Sequence, residues 1–173
     1  PVTTEFNEMK ENARKFVMAL KKSKQNYVLI YPNNDLGTEY IFEAYKSIED
    51  NDQFKIFPSL RFEYFLTLLK NSDFIIGNSS VGIHEAPVYG VPTIDIGTRQ
   101  YNRFIYESIR NIEFDENEML EAIDNAICVK RYPATKHYGN GNSADLFIKS
   151  LEEMSIWGTD KQKKFVDINF SNW

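Results

Sequence analysis

Apolar positions along this chain change period in a regular order. Phe6, Met9, Ala13, Phe16, Val17 and Leu20 recur every three or four residues, which predicts a helix over 5–23 with one buried stripe. NYVLIYP (26–32) is an unbroken apolar run closed by Pro32, which predicts a strand. The alternation then repeats. Residues 38–50 carry Ile41, Phe42, Tyr45 and Ile48 at helical spacing, and FKIFP (54–58) reads as a second strand. A helix over 61–71 leads into a third strand, DFIIGN (73–78), and a short helix over 82–89 leads into a fourth, PTIDIG (92–97). SIRNIEF (108–114) predicts a fifth strand. Helices follow over 116–128, with Met119, Leu120, Ile123 and Ile127 inward, and over 143–154, with Ser143 as cap.

Strands that are apolar throughout, separated by amphipathic helices, are strands covered on both faces. The order therefore predicts an α/β domain, a Rossmann-like doubly wound parallel sheet. A chain of 173 residues suits one such domain with a sizeable core. We place it at residues 1–155 and set apart IWGTDKQKKFVDINFSNW (156–173) as an aromatic tail that docks on this body or another.

Composition narrows the function. A hydrophobic share of 42% argues against disorder. A net charge of -5, with acids and bases interspersed, gives no basic footprint for nucleic acid. No apolar run reaches the roughly 20 residues of a membrane helix. The lone Cys128 allows no internal disulfide and suggests the cytoplasm. His84 and His137 stand apart from any Cys, His or carboxylate cluster, so no metal site is expected. The chain opens at Pro1 rather than Met, as an excised part of a longer protein would.

Ligands of doubly wound sheets sit beyond the carboxyl ends of the strands. The loops there are rich in polar and glycine residues: PNNDLGTE (32–39), PSLR (58–61), GNSSVGIHE (77–85) and GTRQYNR (97–103). Ser79, Ser80 and Gly82 fall where a helix begins, and free N–H groups there, with hydroxyls beside them, suit a phosphate or diphosphate. Gly82 would let the backbone approach a bulky anion. Glu85 offers two acceptor oxygens that match the two donors of a ribose diol. Arg99 could clamp phosphate with its planar fork. Plainer roles stay open for each: Ser80 as an N-cap, Glu85 as a first-turn acid, Arg99 as a surface ion-pair partner, Asn33 as a turn former. YGNGNS (138–143), a glycine-rich run into the last helix, is a weaker candidate anion nest.

Taken together, PVTTE at the start, PNND, GNSSVGIHEAP, the run YGVPTIDIGTRQ with Arg103 beyond it, and YGNGNS resemble the UDP-N-acetylglucosamine 2-epimerases. The likeness covers almost the whole chain in order. It implies the C-terminal half of a GT-B architecture, whose cleft with a missing N-terminal domain forms the active site. It also implies UDP and UDP-N-acetylglucosamine as ligands and no cofactor. Ser79, Ser80 and the Gly82 backbone would then hold the diphosphate, Glu85 the ribose and Arg99 the phosphates. Phe57 and Ser59 would receive the uracil edge through their backbone, and Asn33 would line the cleft. The catalytic residues would lie in the other half. The family's opening histidine, which precedes Pro-Val-Thr-Thr-Glu, is absent here. GNSS and GTRQ resemble the hydrolysing branch, which yields free N-acetylmannosamine and UDP for sialic acid synthesis.

This half alone is expected to be inactive, and an apolar face left by the lost domain could drive self-association into a homo-oligomer. Three alternatives remain: a non-hydrolysing epimerase making UDP-N-acetylmannosamine, a GT-B glycosyltransferase domain, and a nucleotide-binding module without catalysis.

Overall fold

A computed structural model of the chain describes residues 3–153, 155–160 and 162. The chain divides into two compact units, Pro1–Thr135 and Lys136–Trp173. Most of the aromatic tail expected over 156–173 lies outside the described residues.

In the first unit, a 3-10 helix (Thr3–Glu8) leads into α1 (Met9–Ser23). There follow β1 (Tyr27–Ile30), α2 (Thr38–Lys46), β2 (Phe54–Phe57), α3 (Phe62–Asn71), β3 (Ile75–Gly77) and α4 (Val81–His84). After a second 3-10 turn (Ala86–Tyr89) come β4 (Thr93–Ile96), β5 (Ile109–Ile112) and α5 (Glu116–Val129). The helix expected over 82–89 is thus broken in two. Pro87 has no N–H to donate back into a helix, and the chain tightens into the 3-10 turn that Gly90 closes at φ 65°.

All pairings are parallel. β1 pairs with β2, and β3, β4 and β5 pair in that order, with Gly77 opposite Asp95 and Asp95 opposite Asn111. The two ladders share one core. Tyr27, Leu29 and Phe54 of the first cluster with Ile94, Ile96 and Ile112 of the second, together with Leu20, Met119 and Ile123 from the helices. The Tyr27 ring meets Phe74, just before β3, edge-on at 6.1 Å. A second cluster, Leu69, Ala86 and Val91, covers the opposite face beneath α3 and the 3-10 turn. β4 is buried at all four positions because it lies between both layers. Its Ile94 and Ile96 enter the main core, and Thr93 faces α4.

The second unit holds α6 (Ser143–Glu152) and a 3-10 turn (Ser155–Gly158). Asn142, not Ser143, occupies the N-cap position of α6, and it makes no side-chain cap bond.

Candidate functional site

The candidate residues fall on loops at the carboxyl ends of the strands. Asn33 is exposed in the turn after β1, where its carbonyl accepts from the Thr38 hydroxyl at 2.7 Å. Phe57 ends β2, 38% exposed, and its carbonyl accepts from the Tyr31 N–H at 3.0 Å. Ser59 is exposed just beyond it. These three are organised by the β1–β2 ladder.

The other five gather at the ends of β3 and β4. Ser79 is exposed, Ser80 half-buried and Gly82 buried. Ser80 occupies the N-cap position of α4, yet its side chain makes no cap bond, so its hydroxyl is not used to start the helix. Ser79 Oγ accepts a long bond from the Val81 N–H, 3.4 Å. Gly82 departs from expectation. Its N–H is already donated to the Ser79 carbonyl at 3.1 Å. A Cβ on it would stand 2.6 Å from Thr93 Cγ2, and its carbonyl accepts from Thr93 Oγ1 at 2.9 Å. Glycine is required here for the approach of α4 to β4, which leaves Ser79 and Ser80 as the candidate anion donors of this loop. α4 is also a single turn of four residues, which limits any helix-dipole contribution.

Glu85 closes α4. Its Oε2 is buried and has no hydrogen-bond partner. A buried carboxylate oxygen without a donor is costly, and native structures leave few of them. Arg99 is exposed, with no ion pair or hydrogen bond among the described residues. Its loop is tied to the Ser79 loop by its neighbour. Gln100, 3% exposed, donates from Nε2 to the Asn78 carbonyl at 2.8 Å and accepts from Arg103 Nη1 at 3.1 Å.

Two residues that sequence reasoning passed over stand out. One is Gln100, read before only as part of GTRQ. The other is Asp95 on β4, 1% exposed, with both carboxylate oxygens unpartnered. Burial pushes its carboxyl up from 3.8 to about 6. A lone acid inside the apolar run TIDIG was the signal for it. Beside this rim, a cavity of about 310 Å³ is lined by Glu8, Asn12, Lys15, Thr98, Glu113 and Phe114. It touches the Arg99 loop at Thr98 and none of the eight expected residues. Among the described residues no helix is long and apolar enough to cross a membrane.

Comparison with known proteins bears on the chain as a whole. A family model described as UDP-N-acetylglucosamine 2-epimerase matches residues 1–152. A UDP-N-acetylglucosamine 2-epimerase of Neisseria meningitidis serogroup B is 42% identical over 98% of this chain and 45% of its own length. A UDP-N,N'-diacetylbacillosamine 2-epimerase (hydrolyzing) of Legionella pneumophila is 25% identical over 90% of this chain and 41% of its own. The chain thus spans less than half the length of the curated relatives it matches. The fold matches a crystal structure of the Methanocaldococcus jannaschii UDP-GlcNAc 2-epimerase in complex with UDP-GlcNAc and UDP. That match has a TM-score of 0.68 at 18% identity and covers 85% of this chain and 41% of that one.

Proposed function

The chain belongs to the UDP-N-acetylglucosamine 2-epimerase family, and from that premise we propose that it is the nucleotide-holding half of such an enzyme, of the hydrolysing type. In this reading Glu85 accepts hydrogen bonds from the two vicinal ribose hydroxyls. Ser79 and Ser80 donate to the diphosphate through hydroxyl and backbone N–H, and Arg99 adds its positive fork from the neighbouring loop. Phe57 and Ser59 meet the uracil, and Asn33 lines the same cleft.

The observation that carries the proposal is the unpartnered, buried Oε2 of Glu85. A ribose diol supplies the missing donors, beside two serines and a free arginine suited to the adjoining phosphates. The plainer role of a first-turn acid does not apply, because Glu85 follows α4 at its C-terminal end.

The chemistry proposed for the whole enzyme begins when UDP leaves carbon 1 of the sugar with the bonding electron pair, as a base takes the proton from carbon 2. Water then adds across the resulting glycal, giving N-acetylmannosamine and UDP. This half holds the leaving group and neutralises its charge through Arg99. The base belongs to a second domain, across the cleft. Two features support hydrolysis over return of UDP to carbon 1: the GNSS and GTRQ elements, and the hydrolysing activity named for the Legionella relative.

Calorimetric titration with UDP tests the proposal, with Glu85→Gln alongside. Glutamine keeps the shape and gives up one acceptor oxygen. We expect saturable binding weakened about tenfold in the variant, the order of one hydrogen bond to a charged group. Equal binding by both proteins refutes the ribose role. Product analysis of the full-length enzyme separates the branches: free N-acetylmannosamine means hydrolysis, and UDP-linked product means the non-hydrolysing type.

A further inference from the structure

We propose that Gln100 is the positioning residue of the Ser79–Ser80 segment: its buried side chain reaches across from the loop after β4 and fixes the peptide on which that segment turns. The inference rests on reading this segment as the diphosphate site, and its test lets the two fail separately.

Gln100 is 3% exposed and uses both ends of its amide. Nε2 donates to the Asn78 carbonyl at 2.8 Å, and Oε1 accepts from Arg103 Nη1 at 3.1 Å. Only one orientation of the amide satisfies both partners. A guanidinium can only donate and a carbonyl can only accept, so the oxygen faces Arg103 and the nitrogen faces Asn78. A flipped amide would set donor against donor at one end and acceptor against acceptor at the other. Arg103 therefore fixes which way Gln100 points, and Gln100 fixes Asn78.

What it fixes is a direction. The Asn78 carbonyl and the Ser79 N–H belong to one planar trans peptide, so they point opposite ways. With the carbonyl held toward Gln100, the Ser79 N–H is aimed away from it. The chain has freedom to need this constraint. Gly77, one residue earlier, sits at φ 144° with open space where a Cβ would lie, so neither side-chain packing nor an ordinary backbone well holds the turn. The bond spans 22 residues of sequence and joins the Arg99 loop to the serine loop, so both phosphate-facing elements keep one spacing.

The test uses this chain with Gln100→Met, which keeps length and neutrality but can make neither bond, and Arg103→Ala, which removes only the outer anchor from an exposed position. Backbone amide exchange and UDP affinity are measured on each. We expect Gln100→Met to speed exchange about tenfold at 78–82 while α1 and α5 keep wild-type rates, and to weaken UDP about tenfold. Arg103→Ala should move the same amides by less. Unchanged exchange at 78–82 overturns the inference whether or not UDP binds. Faster exchange spread over the whole unit, with UDP affinity intact, also overturns it, because the residue is then merely structural. Faster exchange confined to 78–82 in a chain that never binds UDP supports the pinning and sinks the diphosphate reading instead.

Discussion

Asp95 gives the sharpest test of the energetics, because its burial and its pairing disagree. It lies on β4 between β3 and β5, 1% exposed, with neither carboxylate oxygen bonded. Desolvation penalises the charged form, so the folded protein holds the proton to about pH 6 against an ordinary 3.8. At about 1.4 kcal/mol per pH unit, that rise is worth about 3 kcal/mol. The sign follows from proton counting. Below about pH 3 the carboxyl is protonated in both states and costs nothing extra. Between pH 4 and 6 the unfolded chain has released the proton and the folded chain still binds it, so stability falls as pH rises. Above about pH 6 the folded group is charged too and the loss levels off. Asp95→Asn removes the titration and keeps the shape. Its amide is no better paired, but that offset does not vary with pH. Urea unfolding of both proteins at pH 4, 5, 6 and 7 isolates the residue, since every other group cancels in the difference. The variant should gain about 2.4 kcal/mol on wild type between pH 4 and 7. A difference constant to within about 0.5 kcal/mol across that range would refute the desolvation argument.

Two further outcomes follow from packing and capping. Gly82→Ala places a methyl 2.6 Å from Thr93 Cγ2, so it should cost about 1–3 kcal/mol by overpacking. Adding Thr93→Ser, which drops that methyl but keeps the hydroxyl that bonds the Gly82 carbonyl at 2.9 Å, should restore most of the loss in a denaturant melt. Additive losses in the double variant would show that the contact is not the cause. Asp115 caps α5 by accepting from the Asn117 and Glu118 N–H groups, each at 3.0 Å. Asp115→Ala should cost about 1 kcal/mol in the same assay, and a change under about 0.3 kcal/mol would deny the cap any weight.

All five strands were legible from their apolar runs, each within a residue or two, but only β4 is buried at every position, while β1 and β2 each expose residues such as Val28 and Phe57. SIRNIEF is instructive. Its β5 core, Ile109–Ile112, pairs with β4 although Arg110 and Asn111 interrupt the apolar run. Helix ends were less legible. The 3-10 geometry of Thr3–Glu8 and of Ala86–Tyr89 depends on i to i+3 bonding that periodicity does not encode. At the site, residue types indicated an anion and a diol, but not which atoms are free to bind them. Gly82 looked like a concession to a ligand and is a concession to Thr93. Gln100 acts on the Asn78 carbonyl, a backbone acceptor that no residue type marks.

The two orphaned carboxyls show why burial alone does not identify a binding residue. Both Asp95 and Glu85 carry buried carboxylate oxygen without a hydrogen-bond partner, and an unpaired buried polar atom is destabilising wherever it lies. They differ in access. Asp95 is enclosed within β4, with sheet neighbours on either side and helices above and below, so no ligand reaches it without opening the core; proton uptake is its one means of relief. Glu85 is only half-buried, and it closes the short helix that follows the serine loop. Relief there can come from outside, as two hydroxyls arriving on a ribose. On this argument UDP binding should stabilise the wild-type chain more than Glu85→Gln at any given concentration. The ligand supplies donors to an orphaned acceptor oxygen in the first protein, where the second presents an amide donor that the diol's hydroxyl hydrogens cannot bond.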